Sequence, residues 1–215
     1  MPRTVTLIPG DGIGRELVDP VLRVLEAARA DVVFERASAG RAACREVGEA
    51  LPEATLESIR RNGVALSGKL LARPGDSFPS PRWDLHRRLD LFAAVLPIRN
   101  LRGLPARHQD VDIVVIRQST EDIYAGLEDR IRDGIVASMK VVTSAASTRI
   151  TRFAFDWARR NGRKEVTLVH KANIMKVTDG LFMGEAWALS KAHPDIAMRE
   201  MDIDAMAADL YTRPD

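Results

Sequence analysis

One cysteine in 215 residues, Cys44, excludes an internal disulfide, and no Cys/His cluster has the spacing of a zinc site. The lone thiol reads as a buried or bystander group in a reducing compartment. Net charge is almost absent, since 32 basic residues against 30 acidic ones give a formal +2. That balance supplies no basic stripe for nucleic acid and no face for an anionic membrane. Long apolar runs are missing as well. The opening residues 1–8 form a short strand pattern that meets Gly10 and Asp11 too soon for a signal peptide, and no stretch is fit to span a membrane. Repeats and low-complexity linkers are lacking too. A soluble, cytoplasmic protein is expected, with no nucleic-acid or membrane partner. What is present, 46% hydrophobic and 29% charged, suffices for one large domain or two small ones.

Strand patterns alternate with helical ones. Residues 5–8 read as a buried strand, 9–14 as a tight glycine loop and 15–30 as a helix, with Leu17, Val18, Val21, Leu22 and Leu25 at helical spacing. The loop is not the dinucleotide fingerprint, because its third glycine, Gly14, comes one residue early. Strand, glycine turn and helix still form a ligand-facing unit, since glycines let a ligand approach the backbone. Strands at 31–35 and 63–68 and helices at 41–48 and 52–62 follow. This alternation predicts an α/β fold with a largely parallel sheet.

Residues 71–83 are a loop, with Pro74, Gly75, Pro79 and Pro81 excluding regular structure. A short helix is expected at 84–91, a strand at 91–96 and, after a polar link, a strand at 111–116. Beyond Arg117 the character changes. Two strand-like runs, 123–129 and 134–142, flank a charged turn and suggest an antiparallel pair or a projecting arm. A helix begins at Ser144, presents Ile150, Phe153, Ala154 and Trp157 on one face, and stops at Asn161-Gly162. A strand at 165–169, a helix at 179–193, a strand near 196–201 and a helix from Asp204 complete the pattern.

The stretch His170-Lys171-Ala172-Asn173-Ile174-Met175 follows a β-branched run. A lysine just beyond a buried strand can be desolvated enough to serve as a base, although an ordinary strand-end lysine has the same local pattern. Tyr124 reads equally as a half-buried strand tyrosine, and Asp204 as a helix N-cap.

Four segments taken together resemble the metal-dependent β-decarboxylating dehydrogenases, the isocitrate and isopropylmalate dehydrogenase family. They are the loop from Pro9 to Glu16, Arg117-Gln118-Ser119-Thr120-Glu121-Asp122-Ile123-Tyr124-Ala125-Gly126-Leu127-Glu128, the stretch around Lys171, and Ile203-Asp204-Ala205. The NAD-dependent isocitrate branch looks most similar. The resemblance implies two α/β subdomains sharing a mixed sheet, C-terminally incomplete here. Residues 1–98 would be the N-terminal half of the nucleotide-side domain, and 99–215 a small dimerisation domain with an arm at 124–142. It implies oxidative decarboxylation of an isocitrate-like 2-hydroxy acid, a di- or tricarboxylate, with NAD (or NADP) and Mg²⁺ or Mn²⁺ polarising the developing 2-oxo group.

By the same resemblance Lys171 takes the alcohol proton and Tyr124 protonates the enolate carbon. Asp204 ligates the metal, Ser80, Arg82, Arg117 and Asn173 bind substrate, and Ile13 meets the cofactor. Lys171 and Asp204 would reach into a partner's site, making a homodimer. The chain departs from the family pattern in places. An asparagine position holds Arg82, and two arginine positions hold His86 and Leu96. Removing one charge-assisted hydrogen bond to a carboxylate costs roughly 1.5–3 kcal/mol, so a substrate altered from isocitrate is expected. The family continues past this point with two further metal aspartates and an adenosine-binding loop. A fragment of a longer enzyme, or a non-catalytic regulatory or assembly paralogue, is therefore expected.

Overall fold

The computed structural model describes every residue except Met1, Pro74, Ser77, Pro79 and Asp215. The expectations for the 71–83 loop that rest on Pro74 and Pro79 therefore fall outside the described residues. The chain divides into two compact units, Met1–Leu91 and Phe92–Asp215.

The first unit holds β1 (Arg3–Ile8), α1 (Ile13–Ala27), β2 (Val32–Arg36), α2 (Arg41–Val47), α3 (Glu53–Asn62), β3 (Ala65–Ser67) and α4 (Pro81–Arg88). Its three strands form a parallel sheet in the order β2-β1-β3. β1 is central, so its residues Leu7 and Ile8 are fully buried. Ile8 packs with Ala39, Leu51 and Leu56 in the core. Thr6 is equally buried, and its hydroxyl is satisfied by Ser58 Oγ at 2.8 Å and by the Asn62 amide at 2.8 Å, both from α3. The last helix of the unit starts at Pro81 rather than at 84, because proline suits a first turn whose N–H has no partner anyway.

The glycine loop after β1 is closed by backbone rather than open to a ligand. A Cβ on Gly10 would collide with the Lys69 carbonyl oxygen, and one on Gly14 would lie 2.6 Å from the Lys69 amide nitrogen. The two loops therefore touch main chain to main chain, joined by the Asp11 N–H to the Lys69 carbonyl at 2.7 Å. Buried Asp11 accepts the Leu71 N–H at 3.0 Å and sits against Gly40, where a Cβ would run into its carboxylate.

The second unit holds β4 (Ala93–Arg99), β5 (Asp112–Gln118), β6 (Asp122–Arg132), β7 (Ile135–Val141), α5 (Ser144–Arg160), β8 (Glu165–His170), α6 (Thr178–Ser190), β9 (Ala197–Asp202) and α7 (Ile203–Thr212). β4 belongs here because it pairs along its whole length with β5. Instead of one continuous sheet, the described strands of this unit form three two-stranded ladders: antiparallel β4-β5, antiparallel β6-β7 and parallel β8-β9. The β6-β7 hairpin turns at Asp133-Gly134, with Gly134 at φ 77, the left-handed conformation such turns require. It carries exposed Ile123, Leu127, Ile131, Val136 and Met139.

The buried face of α5 is not the one expected. Ile150 is buried, but it is joined by Phe155 and Ala158 in place of Phe153, Ala154 and Trp157. Phe155 packs with Ala158 and Ile196, and its ring stacks on His193 at 4.8 Å. Phe153 turns instead to an edge-on contact with Phe92 at 5.7 Å. Among the described residues no helix is long and apolar enough to cross a membrane.

Gly40 has φ 80, a conformation unfavourable for any side chain, and the methyl of Gly40→Ala would collide with Asp11. Gly40→Ala is expected to lower unfolding free energy by about 2 kcal/mol, measured by urea denaturation followed by circular dichroism.

Candidate active site

The Arg117–Leu127 segment is built by its own polar side chains. Gln118, at the end of β5, accepts the N–H groups of Thr120 and Glu121 at 2.8 and 2.9 Å and donates to the Thr120 hydroxyl at 2.7 Å, fixing the turn into β6. Glu121 accepts both the N–H and the hydroxyl of Thr143, at 2.9 and 2.7 Å. Thr143 in turn caps α5 by accepting the Ala146 N–H at 3.1 Å. Asp122 has φ 67, and the β6-β7 register shifts between Asp122 and Leu127. Tyr124 lies inside that irregularity, where a bulge turns a side chain out of the regular alternation. Its ring sits 5.1 Å beneath the Arg117 guanidinium, a cation–π contact, and it is half-buried.

Lys171 begins the turn after β8. The turn is tied at three points: the Lys171 N–H donates to Asp179 Oδ2 at 2.7 Å, the Ala172 N–H to His170 Nδ1 at 3.1 Å, and the Met175 N–H to the Lys171 carbonyl at 2.8 Å. The Lys171 ammonium pairs with the carboxylate of Asp204 in the first turn of α7. The Asp204 side chain is 73% exposed. The N-cap position of α7 is Asp202, not Asp204, and no side-chain capping bond is present there. Asn173 is exposed on the same turn as Lys171.

The remaining candidates belong to the first unit. Ser80 is the N-cap residue of α4 without a side-chain capping bond, and exposed Arg82 stacks near the Trp83 ring at 5.9 Å. Ile13, at the start of α1, is 55% exposed. The structure thus joins Arg117 to Tyr124 and Lys171 to Asp204.

Two residues that no sequence signal singled out organise the second unit's site. Asp179, at the start of α6, is 5% exposed, and its Oδ1 pairs with the Lys140 ammonium from β7. Lys140 also lies 3.3 Å from Asp122 Oδ2. Burial alone would lower the Lys140 pKa, but Asp179 and Asp122 outweigh it and leave it raised above 10.5. Burial pushes the Asp179 carboxyl up, and Lys140 together with the Lys171 N–H more than reverses that, leaving it below 3.8. Either residue could have been suspected only as a charge inside an apolar pattern, because the pair spans 39 positions.

Among the described residues no cluster of three or more His, Cys, Asp or Glu side chains could hold a metal ion. A divalent cation takes about six or more hard oxygen ligands. One carboxylate already bound to Lys171 does not constitute such a site.

The family model for isocitrate/isopropylmalate dehydrogenase matches residues 4–215. The chain belongs to the isocitrate/isopropylmalate dehydrogenase family. It is 45% identical over 214 residues to a mitochondrial NAD isocitrate dehydrogenase regulatory subunit 2 of Arabidopsis thaliana, covering 100% of this chain and 57% of the relative. It is 39% identical over 210 residues to a 3-isopropylmalate dehydrogenase of Methanothermobacter thermautotrophicus, covering 98% and 62%. The crystal structure of isocitrate dehydrogenase from Methylococcus capsulatus superposes with a TM-score of 0.94 at 42% identity, covering 100% of this chain and 64% of that one. The chain therefore spans about three-fifths of the length of the curated relatives it matches.

The Lys140–Asp179 pair sets a pH window. The depressed Asp179 pKa contributes stability present above about 3.8 and lost as pH falls through its folded value; the raised Lys140 pKa contributes stability present below about 10.5 and lost as pH rises through its folded value. Lys140→Met is expected to lower unfolding free energy by about 2–3 kcal/mol. That difference from the wild type should be flat between roughly pH 5 and 9 and should shrink below about pH 4, as read from urea midpoints across pH.

Proposed function

We propose that this protein is a subunit of an NAD-dependent β-decarboxylating dehydrogenase acting on an isocitrate-like 2-hydroxy acid whose carboxylate pattern differs from that of isocitrate. The observation that carries this reading is the preparation of Tyr124 and Lys171. Each is held by dedicated partners, Tyr124 in a bulge beneath Arg117 and Lys171 on a turn tied to Asp179 and His170. In this reading Lys171 first gives up one proton of the ammonium that pairs with Asp204, the neutral amine then takes the proton of the substrate hydroxyl, and the Tyr124 phenol delivers its proton to the carbon left by departing CO₂. Arg117, which has no carboxylate partner among the described residues, accepts a substrate carboxylate.

When bound, the nicotinamide supplies the hydride acceptor. Ile13 offers it an exposed apolar contact, but Gly10 and Gly14, closed against Lys69, leave no phosphate cradle in that loop. The described residues build no complete metal site, so Asp204 would need ligands from elsewhere. The exposed apolar residues of the β6-β7 arm fit a second copy of the chain, and a homodimer follows from this reading.

A second reading, a regulatory subunit without turnover, is favoured by the arginine inventory. Leu96 stands where the family pattern has an arginine, and several cations near it or His86 in sequence are already engaged. Arg99 pairs with Asp112 at 2.8 Å, Arg87 with Asp84 at 3.1 Å, and Arg88 with Glu53. Arg82, near His86 in sequence, has no carboxylate partner among the described residues. The regulatory name of the Arabidopsis relative points the same way.

Turnover decides between them. The complete protein, assayed with NAD, Mg²⁺ and a panel of 2-hydroxy di- and tricarboxylates, is expected to reduce NAD. Lys171→Met should lower kcat by roughly 10²–10⁴-fold, the range for losing a positioned general base. Ligand binding without any NAD reduction would establish the regulatory reading instead.

A further inference from the structure

A route of charge runs through the second unit that the reaction itself does not use. It begins at Asp122, at the root of the arm and two residues before Tyr124. Asp122 Oδ2 lies 3.3 Å from the Lys140 ammonium, which pairs with Oδ1 of Asp179, whose Oδ2 accepts the Lys171 N–H at 2.7 Å. Four elements meet along this route: β6, β7, the turn after β8, and α6. The two central groups are shielded, with the Lys140 side chain 19% and the Asp179 side chain 7% exposed. A shielded charge pair tolerates no loose geometry, because a buried charge left unpaired is strongly destabilising.

Asp179 is also shared. One carboxylate oxygen faces Lys140 and the other faces the Lys171 amide, so rotating the carboxylate to follow one partner moves it away from the other. The Asp122 side chain has two tasks as well, since its Oδ1 accepts the Ile123 N–H at 2.6 Å. Displacing the root of the arm therefore displaces the acceptor that sets the backbone of Lys171.

We propose that Lys140 is a positioning residue that couples the root of the β6-β7 arm to the Lys171 turn through Asp179. The inference rests on the reading of Lys171 as the proton acceptor for its functional meaning, but the coupling itself is a property of the structure. If the arm docks on a second copy of this chain, docking would set the Lys171 turn, and an undocked subunit would hold that turn more loosely.

Amide hydrogen exchange of the complete protein, resolved by residue, tests the coupling without requiring turnover. Lys140→Met is expected to accelerate exchange at the Lys171 amide by roughly 10-fold, as expected for losing one charge-assisted restraint. Exchange at Leu168 in β8 and Phe155 in α5 should be unchanged. Asp122→Asn, at the arm root, should act in the same direction by a smaller factor, and Lys140→Arg should restore slow exchange. Two results would overturn the proposal: acceleration at Lys171, Leu168 and Phe155 together, which marks general loosening, or an unchanged Lys171 amide in Lys140→Met while Asp179→Ala releases it. Loss of turnover in Lys171→Met is read separately, so a failed coupling and a failed catalytic assignment leave different signatures.

Discussion

The ion pair between Lys140 and Asp179 is the interaction on which the second unit's site depends. β6 and β7 form a two-stranded hairpin whose outer portion is exposed on both faces, and such a ribbon has little packing of its own to fix its direction. Its position relative to the turn after β8 comes from polar contacts at its root. Glu121 holds Thr143, and Lys140 joins Asp122 to Asp179. Replacing the pair by apolar side chains could preserve stability, but it would leave the Lys171 amide without its acceptor. The pair is thus better understood as a device for specifying geometry than as a large source of stability.

The same logic, without an ion pair, closes the first unit. The glycines after β1 look from sequence like an invitation to a ligand, yet Gly10 and Gly14 admit the Lys69 backbone, and Gly40 admits the Asp11 carboxylate. Glycine permits close approach without specifying by what, so the pattern alone could not distinguish a cofactor from a neighbouring loop. Buried Asp11 accepts the Leu71 N–H through its side chain and donates its own N–H to Lys69, fastening segments that are distant in sequence.

The alternation of strands and helices was legible because it rests on local periodicity, and the arm was legible because two strand-like runs flank a charged turn. The face of α5 was not. Six apolar residues crowd the nine positions from Ile150 to Ala158, so several helical faces look equally apolar, and the choice falls to partners outside the helix. Phe155 is selected by Ile196 and His193, from a segment far down the chain. The contact between Lys171 and Asp204 had no local signature either; both roles came from resemblance, and the parallel β8-β9 register that sets His170 opposite Asp202 explains their meeting physically. Lys140 and Asp179 had neither a motif nor periodicity to mark them, since a buried ion pair is visible only once both ends are placed.

For the proposed function, the cations of the second unit constrain the substrate more tightly than Tyr124 and Lys171 do. Arg99 was a natural replacement for the arginine missing at Leu96, a few positions away on the same strand. In the structure it is bound to Asp112, which Arg163 also engages at 2.6 Å. The Asp112 carboxyl is held below its ordinary range first by the Arg163 hydrogen bond and then by that of Arg99. Freeing Arg99 for a ligand would therefore break into a cluster that holds β5 to the segment before β8. On the β4-β5 ladder Ala94 lies opposite Arg117 and Leu96 opposite Val115, and these four residues share a face on which Arg117 is the single charge. A tricarboxylate that leans on several arginines finds one there. In the proposed function, a ligand with one carboxylate at Arg117 and an apolar group beside it would match this face, and the choice of substrate would turn on that one cation.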